Sequence, residues 1–191
     1  SSAASDVYKR QDMVRDLTAF AKKYNPDFHV CYNKGHLGYL DKPVKEDYSY
    51  FSFESLPGVE WGYLDFPVSA KYMRNFGKEC LGLTSRFHTE WGDFHAFRNE
   101  AAMEYEVFSM LAHGCKCTIG DQMDYWGKLN TDMYKQIGRV YKSVEEKEPW
   151  CENAKPISEI GVFTAEEFYA TGVAGHIPGA VSYTHLRAHE T

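Results

Sequence analysis

Apolar and polar residues follow two different periods along this chain, one typical of helices and the other of buried strands. Apolar residues recur at i, i+4, i+7, i+8 and i+11 from Met13 to Tyr24 and predict a helix that starts at Asp12 and ends at Asn25. Three more helices are predicted over 67–76, over 99–113 and after the capping residue Asn130. The apolar faces of the four helices are predicted to be Met13, Leu17, Phe20, Ala21 and Tyr24; Ala70, Met73 and Phe76; Ala101, Tyr105, Phe108 and Ala112; and Met133, Ile137, Val140, Tyr141 and Val144.

Short apolar runs between these helices predict four buried strands, at 28–32, 48–53, 80–84 and 115–119. Strands that alternate with helices form parallel βα units, because a parallel neighbour needs a crossover connection. A (β/α)8 barrel of ~250 residues gives about 31 residues to each unit. With the third strand counted from residue 79, the strand starts are spaced 20, 31 and 36 residues apart, so the pattern predicts an α/β fold that is half of such a barrel.

The pattern changes at Pro149 and at both ends of the chain. Ile157 to Phe163 reads as the first strand of a separate α/β domain, and Lys155-Pro156 reads as its linker. Residues 1–11 and 181–191 match neither neighbour in pattern and resemble translated adapter sequence, so we treat them as a non-native leader and tail. The expected units are therefore residues 12–150 and 151–180, and the chain is expected to be an internal fragment.

Composition narrows the range of partners. The formal net charge is −6, which argues against nucleic acid or an anionic membrane as the main partner, and there is no apolar run long enough to span a bilayer. The five cysteines (31, 80, 115, 117 and 151) lie mostly in apolar runs, which favours reduced thiols and a cytoplasmic location. No cofactor and no metal are expected, because Cys115-Lys-Cys117 has no second pair at ligand spacing.

Polar and aromatic side chains follow every predicted strand, where barrel enzymes place their active sites. Glu54 ends the most aromatic strand, and the mixture of planar polar groups with indoles suits sugars, whose hydroxyls need hydrogen bonds while their C–H faces pack on aromatics. The strand-end candidates are Asn33, His36, Glu54, Trp61, Arg86, His88, Trp91, Asp121 and Gln122. Each also has a structural alternative: Asn33 as a turn cap, Arg86 as the partner of Glu90 or Asp93, and the two tryptophans as loop packing.

Several strings in these loops also carry a family resemblance. They are Phe53-Glu-Ser-Leu-Pro57, Trp61-Gly-Tyr63, the run from Gly82 to Phe94, Gly120-Asp-Gln122 and the run from Glu145 to Trp150. Together they resemble the α-L-fucosidase-like glycosyl hydrolases also described as "hypothetical glycosyl hydrolase 6". The resemblance covers roughly residues 12–180. It implies the last four units of a catalytic (β/α)8 barrel, followed by the opening strand of a flavodoxin-like β-galactosidase trimerisation domain, in a protein that forms homotrimers.

Glycosidases generally use two carboxyl groups, one as proton donor and one as nucleophile or base. We expect Glu54 to be the acid/base, with its pKa raised by aromatic surroundings. Asp121 is the candidate within the chain for the second carboxylate. The resemblance implies another acid upstream, which we prefer for that role, with Asp121 binding sugar hydroxyls. The substrate is expected to be a glycoside with a terminal sugar, of the fucosidase or galactosidase type.

Two other classes of function stay open from the sequence. A metal-dependent barrel hydrolase would use His36, His88, Asp93 and Asp121 as ligands, although no local cluster has ligand spacing. The second class is a non-catalytic protein that binds carbohydrate or serves in assembly and has a degenerate barrel fold. Under the glycosidase interpretation, half a barrel leaves strand edges and an apolar face unpaired, so the chain by itself is expected to be inactive and prone to pair or aggregate.

Overall fold

Three parallel strands form the centre of the structure. The computed structural model describes residues 2–33, 37, 39–58 and 61–161. Strands β1 (Phe51–Glu54), β2 (Cys80–Ser85) and β3 (Lys116–Gly120) pair side by side in the order β1-β2-β3. In the register, Glu54 lies opposite Leu83, and Leu83 lies opposite Thr118. The predicted mixed α/β class and the parallel pairing are therefore confirmed.

Within the described residues, five α-helices connect and flank the strands. They are α1 (Ser2–Tyr24), α2 (Asp65–Met73), α3 (Glu100–Ala112), α4 (Thr131–Glu145) and the short α5 (Glu148–Cys151). Two 3-10 helices, Tyr39–Asp47 and Arg74–Phe76, lie before β1 and after α2. None of the helices in the described part of the chain is both long enough and apolar enough to cross a membrane.

Helices cover one face of the sheet. Phe53 is almost completely buried on this face, and a Cβ added to Gly82 would overlap Met110 of α3 and Phe66 of α2. Because successive side chains of a strand point to opposite faces, Glu54, Leu83 and Thr118 point the other way. We call this second side the open face, since its side chains are only half-buried by the described residues. If the predicted barrel forms, this face would be its interior.

Two of the predicted helices form as the pattern indicated. Helix α4 starts directly after Asn130, whose side chain accepts hydrogen bonds from the backbone N–H groups of Asp132 and Met133. The core side of α4 consists of the predicted Met133, Ile137, Val140 and Val144, with Tyr141 partly buried beside them. Helix α2 and the 3-10 turn after it end at Gly77, whose φ of 73° is a left-handed conformation that favours glycine.

The prediction of a strand at 28–32 was wrong. These residues have no regular secondary structure, although the Ser49 backbone N–H donates a 2.8 Å hydrogen bond to the Val30 carbonyl. The segment therefore runs beside the start of β1 but does not form a ladder with it.

The predicted strand 157–163 does not form at 157–161, where the chain is irregular and exposed. Its last two residues belong to 162–191, which lie outside the described residues.

The predicted faces of α1 and α3 were wrong as well. On α1, the predicted apolar residues Met13, Leu17, Phe20 and Tyr24 are 49–73% exposed, and the buried side is formed by Gln11, Val14 and Thr18. This helix also starts at Ser2, inside the segment that we set aside as a leader. On α3 the buried residues are Met103, Glu106, Val107 and Met110. Of the predicted face, Phe108 is partly buried against the core, whereas Ala101, Tyr105 and Ala112 are exposed. A hydrophobicity pattern could not identify this face, because Glu106 is polar but buried and Tyr105 is aromatic but exposed.

Candidate functional site

Polar residues follow the carboxyl ends of β1, β2 and β3, and all three lie at one end of the sheet. Parallel strands share a direction, so the residues that follow their carboxyl ends meet at a common rim. Glu54 is the last residue of β1, Arg86 follows β2 directly, and Asp121 follows β3 directly. The rim is held together by backbone hydrogen bonds, Ser55 N–H to Leu83 O at 2.7 Å and Arg86 N–H to Gly120 O at 3.0 Å.

Glu54 and Trp91 share the open face of the sheet at this rim. Glu54 alternates with the buried Phe53, and its side chain is half-buried on the side away from the helices. The Trp91 ring lies over Gly120, where an added Cβ would come within 3.0 Å of two indole carbons. Trp91 is itself 55% exposed, so its ring offers a free surface beside the strand ends. A carboxylate and an exposed indole thus lie on the same face of the sheet.

Arg86 and Asp121 form a buried ion pair at the rim. Arg86 Nε donates to Asp121 Oδ1 at 2.6 Å, and the two side chains are only 3% and 7% exposed. The guanidinium also lies 4.3 Å from the centre of the Phe87 ring and 5.2 Å from that of Phe94. The predicted alternatives for Arg86, pairing with Glu90 or Asp93, are therefore wrong.

This ion pair leaves one donor and one acceptor without a hydrogen bond among the described residues. Arg86 Nη1 and Asp121 Oδ2 are both buried and have no partner there. Tyr134, near the start of α4, lies close to the pair: burial raises the pKa of its hydroxyl, and the charge of Asp121 raises it further. Asp121 follows Gly120, whose Cβ direction is toward Trp91 on the open face, so alternation turns the Asp121 side chain to the other side of the rim.

The loop from Arg86 to Arg98 is a closed and internally bonded segment. An isolated antiparallel bridge joins Phe87 to Phe97 at its two ends. Inside it, the Thr89 hydroxyl donates to Asp93 Oδ2 at 2.9 Å, and the His95 N–H donates to Asp93 Oδ1 at 3.3 Å. The Thr89 hydrogen bond is the main reason that the pKa of Asp93 is lowered. Asp93 therefore holds the loop in shape.

A small cavity of about 30 Å³ lies between this loop and the loop after β1. Leu56 and Gly58 line it on one side, and Ser85, His88, Trp91 and neighbouring residues line it on the other. It is large enough for a water molecule and too small for a sugar ring. The cavity shows that the two loops lie against each other at the rim, with the backbone of His88 next to Gly58.

A buried polar network that sequence reasoning missed supports the end of β2. Arg98 Nη1 donates 2.9 Å hydrogen bonds to the Thr84 hydroxyl and to the Ser85 carbonyl, and Arg98 Nη2 donates to Glu106. The Thr84 hydroxyl also donates to Glu106, which is 1% exposed. The carbonyl of Arg98 accepts a 2.6 Å hydrogen bond from Gln136 of α4. The one available signal was a glutamate at the centre of α3, on the face between Met103 and Met110.

We expect Glu106 to make stability depend on pH. Burial raises its pKa from 4.5 to about 7, against the lowering effects of Arg98 and Thr84. Between these two values the folded chain keeps a proton that the unfolded chain has released, so the free energy of unfolding should fall as pH rises through this window. Urea midpoints measured between about pH 4.5 and about pH 8 should show this fall. The Glu106→Gln variant should show a flatter profile, and an equal slope in both proteins would contradict the assignment.

The remaining predicted residues are less closely joined to the rim. Gln122 is exposed next to Asp121, and its side-chain oxygen lies near Gly92 of the Arg86–Arg98 loop. His88 is exposed in that loop, Trp61 is partly buried after β1, and Asn33 is exposed in the irregular segment before it. His36 lies outside the described residues. Among those that are described, no three His, Cys, Asp or Glu side chains converge as a metal site would require.

Comparison with known proteins places the chain beside part of a larger enzyme. A solved structure, α-L-fucosidase isoenzyme 2 from Paenibacillus thiaminolyticus, superposes with a TM-score of 0.70 and is 36% identical in sequence. The match covers 75% of this chain and 22% of that protein, so the chain spans well under half the length of its neighbour. No protein-family model and no curated protein matches the chain.

Proposed function

We propose that this chain is the C-terminal half of the catalytic (β/α)8 barrel of a fucosidase-like glycoside hydrolase, in which Glu54 is the general acid/base. The observation that carries this proposal is the 36% identity to an α-L-fucosidase over 75% of the chain. The parallel strand order and the rim support it, because barrel enzymes build their sites where parallel strands end. Glu54 lies at the end of β1 on the open face, which is where a carboxyl group that faces a barrel interior would lie.

The exposed apolar surfaces support the proposal that more of the barrel exists. The open face carries half-buried Leu81 and Leu83, and α1 exposes Leu17, Phe20 and Tyr24 along one side. Exposed apolar side chains that are grouped on one face are typical of a surface that another part of a protein covers. Further βα units that precede the chain would cover the open face and pair with the free edge of β1.

Asp121 is placed to shape the rim more than to attack a sugar. Two strand spacings of about 4.8 Å and three residues of about 3.3 Å put its Cα roughly 14 Å from that of Glu54. The paired carboxyl groups of glycosidases lie about 5–9.5 Å apart, and side chains that alternation turns to opposite faces do not reach toward each other to close that distance. Asp121 Oδ1 is also already engaged, by Arg86 and by the Gln122 N–H at 2.7 Å. We therefore assign the second carboxylate to the missing upstream half and hydroxyl binding to the rim.

The proposal extends to the remaining residues, the assembly and the location. Trp61 and Trp91 would pack on the C–H face of the sugar, and Asn33, His36, His88 and Gln122 would bind its hydroxyls. Residues 151–180 would begin the trimerisation domain, which makes the full protein a homotrimer. The described cysteines are all free thiols, which supports a reducing, cytoplasmic location.

The direct test is an assay of the longer protein that contains this chain. Purified full-length protein should hydrolyse aryl α-L-fucosides or aryl β-galactosides without added metal and after treatment with a chelator. The 191-residue chain alone, assayed at the same concentration, should be inactive because it carries one of the two carboxyl groups. No hydrolysis of any aryl glycoside by the full-length protein would contradict the proposal, as would full activity in the isolated chain.

A further inference from the structure

Two buried cysteines meet at the end of the sheet opposite the candidate site. Leu81 of β2 lies opposite Lys116 of β3, so the residues before them, Cys80 and Cys115, are neighbours across the two strands. Each is 3% exposed, and both belong to the same buried core cluster. The Cys80 thiol donates to the Lys78 carbonyl at 3.8 Å, and the Cys115 thiol donates to the His113 carbonyl at 4.0 Å. The register places the two side chains next to each other in the core.

The environments of the two thiols are unequal. The neighbouring Cys115 thiol lowers the pKa of Cys80, and the positive charge of Arg74 lowers it further, although burial acts in the opposite direction. The neighbouring Cys80 thiol and burial both raise the pKa of Cys115. Arg74 Nε is buried and has no hydrogen-bond partner among the described residues, so its charge is available to a thiolate. Cys80 is the better nucleophile of the pair.

We propose that Cys80 and Cys115 form a redox-active dithiol site that a hydroperoxide oxidises to an intramolecular disulfide. Adjacent strands lie about 4.7–4.9 Å apart, which falls within the ~4.4–6.8 Å that separates the Cα atoms of bonded cysteines. The crosslink would join the N-terminal ends of β2 and β3. It would enclose residues 80–115, which include the whole Arg86–Arg98 loop of the rim.

The reaction balances with a hydroperoxide as oxidant. The Cys80 thiolate attacks one peroxide oxygen, the O–O bond breaks, and Cys80 becomes a sulfenic acid while the leaving hydroxide takes up a proton. The Cys115 sulfur then attacks Cys80 Sγ, which forms the S–S bond and releases the sulfenic oxygen as water. Two thiols and one hydrogen peroxide thus give one disulfide and two waters.

The other cysteines lack this arrangement. Cys117 of β3 lies opposite Gly82, so no thiol faces it across the sheet, and burial raises its pKa. The Cys31 thiol donates to the Tyr32 carbonyl at 3.8 Å, and burial raises its pKa as well. Cys151 lies in α5 and is only partly buried. Oxidation in the folded chain should therefore select one pair out of five thiols.

The experiment is peptide mapping of the folded chain after treatment with hydrogen peroxide. Trypsin cleaves after Lys78, Arg86, Arg98 and Lys116, so Cys80 leaves in peptide 79–86, Cys115 in 99–116 and Cys117 in a separate peptide. We expect a disulfide-linked pair of 79–86 and 99–116, a loss of two of the five free thiols, and reversal by dithiothreitol. Loss of thiols without this pair, or predominant links through Cys31, Cys117 or Cys151, would overturn the proposal.

Variants assign the order of the two steps. Cys115→Ser should leave a sulfenic acid on Cys80 that dimedone labels in peptide 79–86, whereas Cys80→Ser should give no label on 99–116. Cys117→Ser is the matched control, because it changes a neighbouring buried thiol of β3 and should leave the crosslink intact. Wild-type chain oxidised in urea should lose the preference for one pair. This test reads thiols only, so its outcome is separate from that of the glycosidase assay.

Discussion

Asp121→Ala should lower the free energy of unfolding of the chain by about 3–5 kcal/mol, the usual cost of leaving a buried charge without its partner. Arg86 is 3% exposed and its Nε has Asp121 as acceptor at 2.6 Å, so the guanidinium cannot regain water without moving out of the Phe87 and Phe94 rings. Urea denaturation followed by tryptophan fluorescence measures the change. The strand end of β3 should also become more open to hydrogen exchange.

The matched control is an exposed ion pair at the opposite end of the same sheet. Glu79 pairs with Lys116 at 2.8 Å, and both side chains are 68% exposed. Glu79→Ala should therefore change stability by about 0–1 kcal/mol, since water replaces the lost partner. The double variant Arg86→Leu/Asp121→Leu should recover most of the loss, because removing both buried charges removes the desolvation penalty. A cost for Asp121→Ala no larger than that for Glu79→Ala would show that the ion pair is not effectively buried.

The sequence was sufficient for the parts of the fold that depend on local signals. Asn130 caps α4, Gly77 and Gly114 end their helices with positive φ angles, and the apolar period of α4 matches its buried side. The order of strands and helices was enough to predict parallel pairing. These features depend on neighbours within a few residues, which is the range over which capping and amphipathic patterns act.

Features that depend on distant partners could not be predicted in the same way. The buried side of α3 includes Glu106, which is stabilised by Arg98 and Thr84 rather than by apolar contacts. The apolar face of α1 is exposed, and its buried side uses Thr18, whose hydroxyl meets Tyr32 at 2.8 Å and donates to the Asp47 carbonyl at 3.0 Å. A hydrophobicity pattern assigns such polar residues to the surface. Their burial depends on a partner far away in the chain.

The candidate site was predicted in position but not in its internal arrangement. Glu54, Arg86 and Asp121 lie at one rim, as expected of residues that follow parallel strands. The alternation of side chains along the strands places Glu54 on the open face with Trp91 and turns the Asp121 side chain, with its partner Arg86, toward the other side. Under the proposed function, the open face would receive the sugar and the ion pair would support the rim.

Glu54→Gln in the full-length protein should lower kcat for aryl glycosides with poor leaving groups by about 10²–10⁴-fold, the usual contribution of a general acid. A leaving group that is a weak base departs without a proton, so substrates with activated aryl groups should lose much less. The high-pH limb of the kcat/KM profile should also disappear, because glutamine has no proton to lose. Steady-state kinetics on a series of aryl glycosides of increasing leaving-group pKa would measure both effects.

The control variant is Glu79→Gln, which changes a glutamate just before β2 at the other end of the sheet. It should leave kcat and the pH profile unchanged, because Glu79 lies at the end of the sheet opposite the proposed site. Circular dichroism should show both variants folded, since Glu54 and glutamine have nearly the same volume and hydrogen-bonding reach. Glu54→Gln with wild-type turnover on substrates with poor leaving groups would remove Glu54 from the acid role. Equal losses for activated and unactivated substrates would instead indicate that Glu54 binds the sugar and donates no proton to the leaving oxygen.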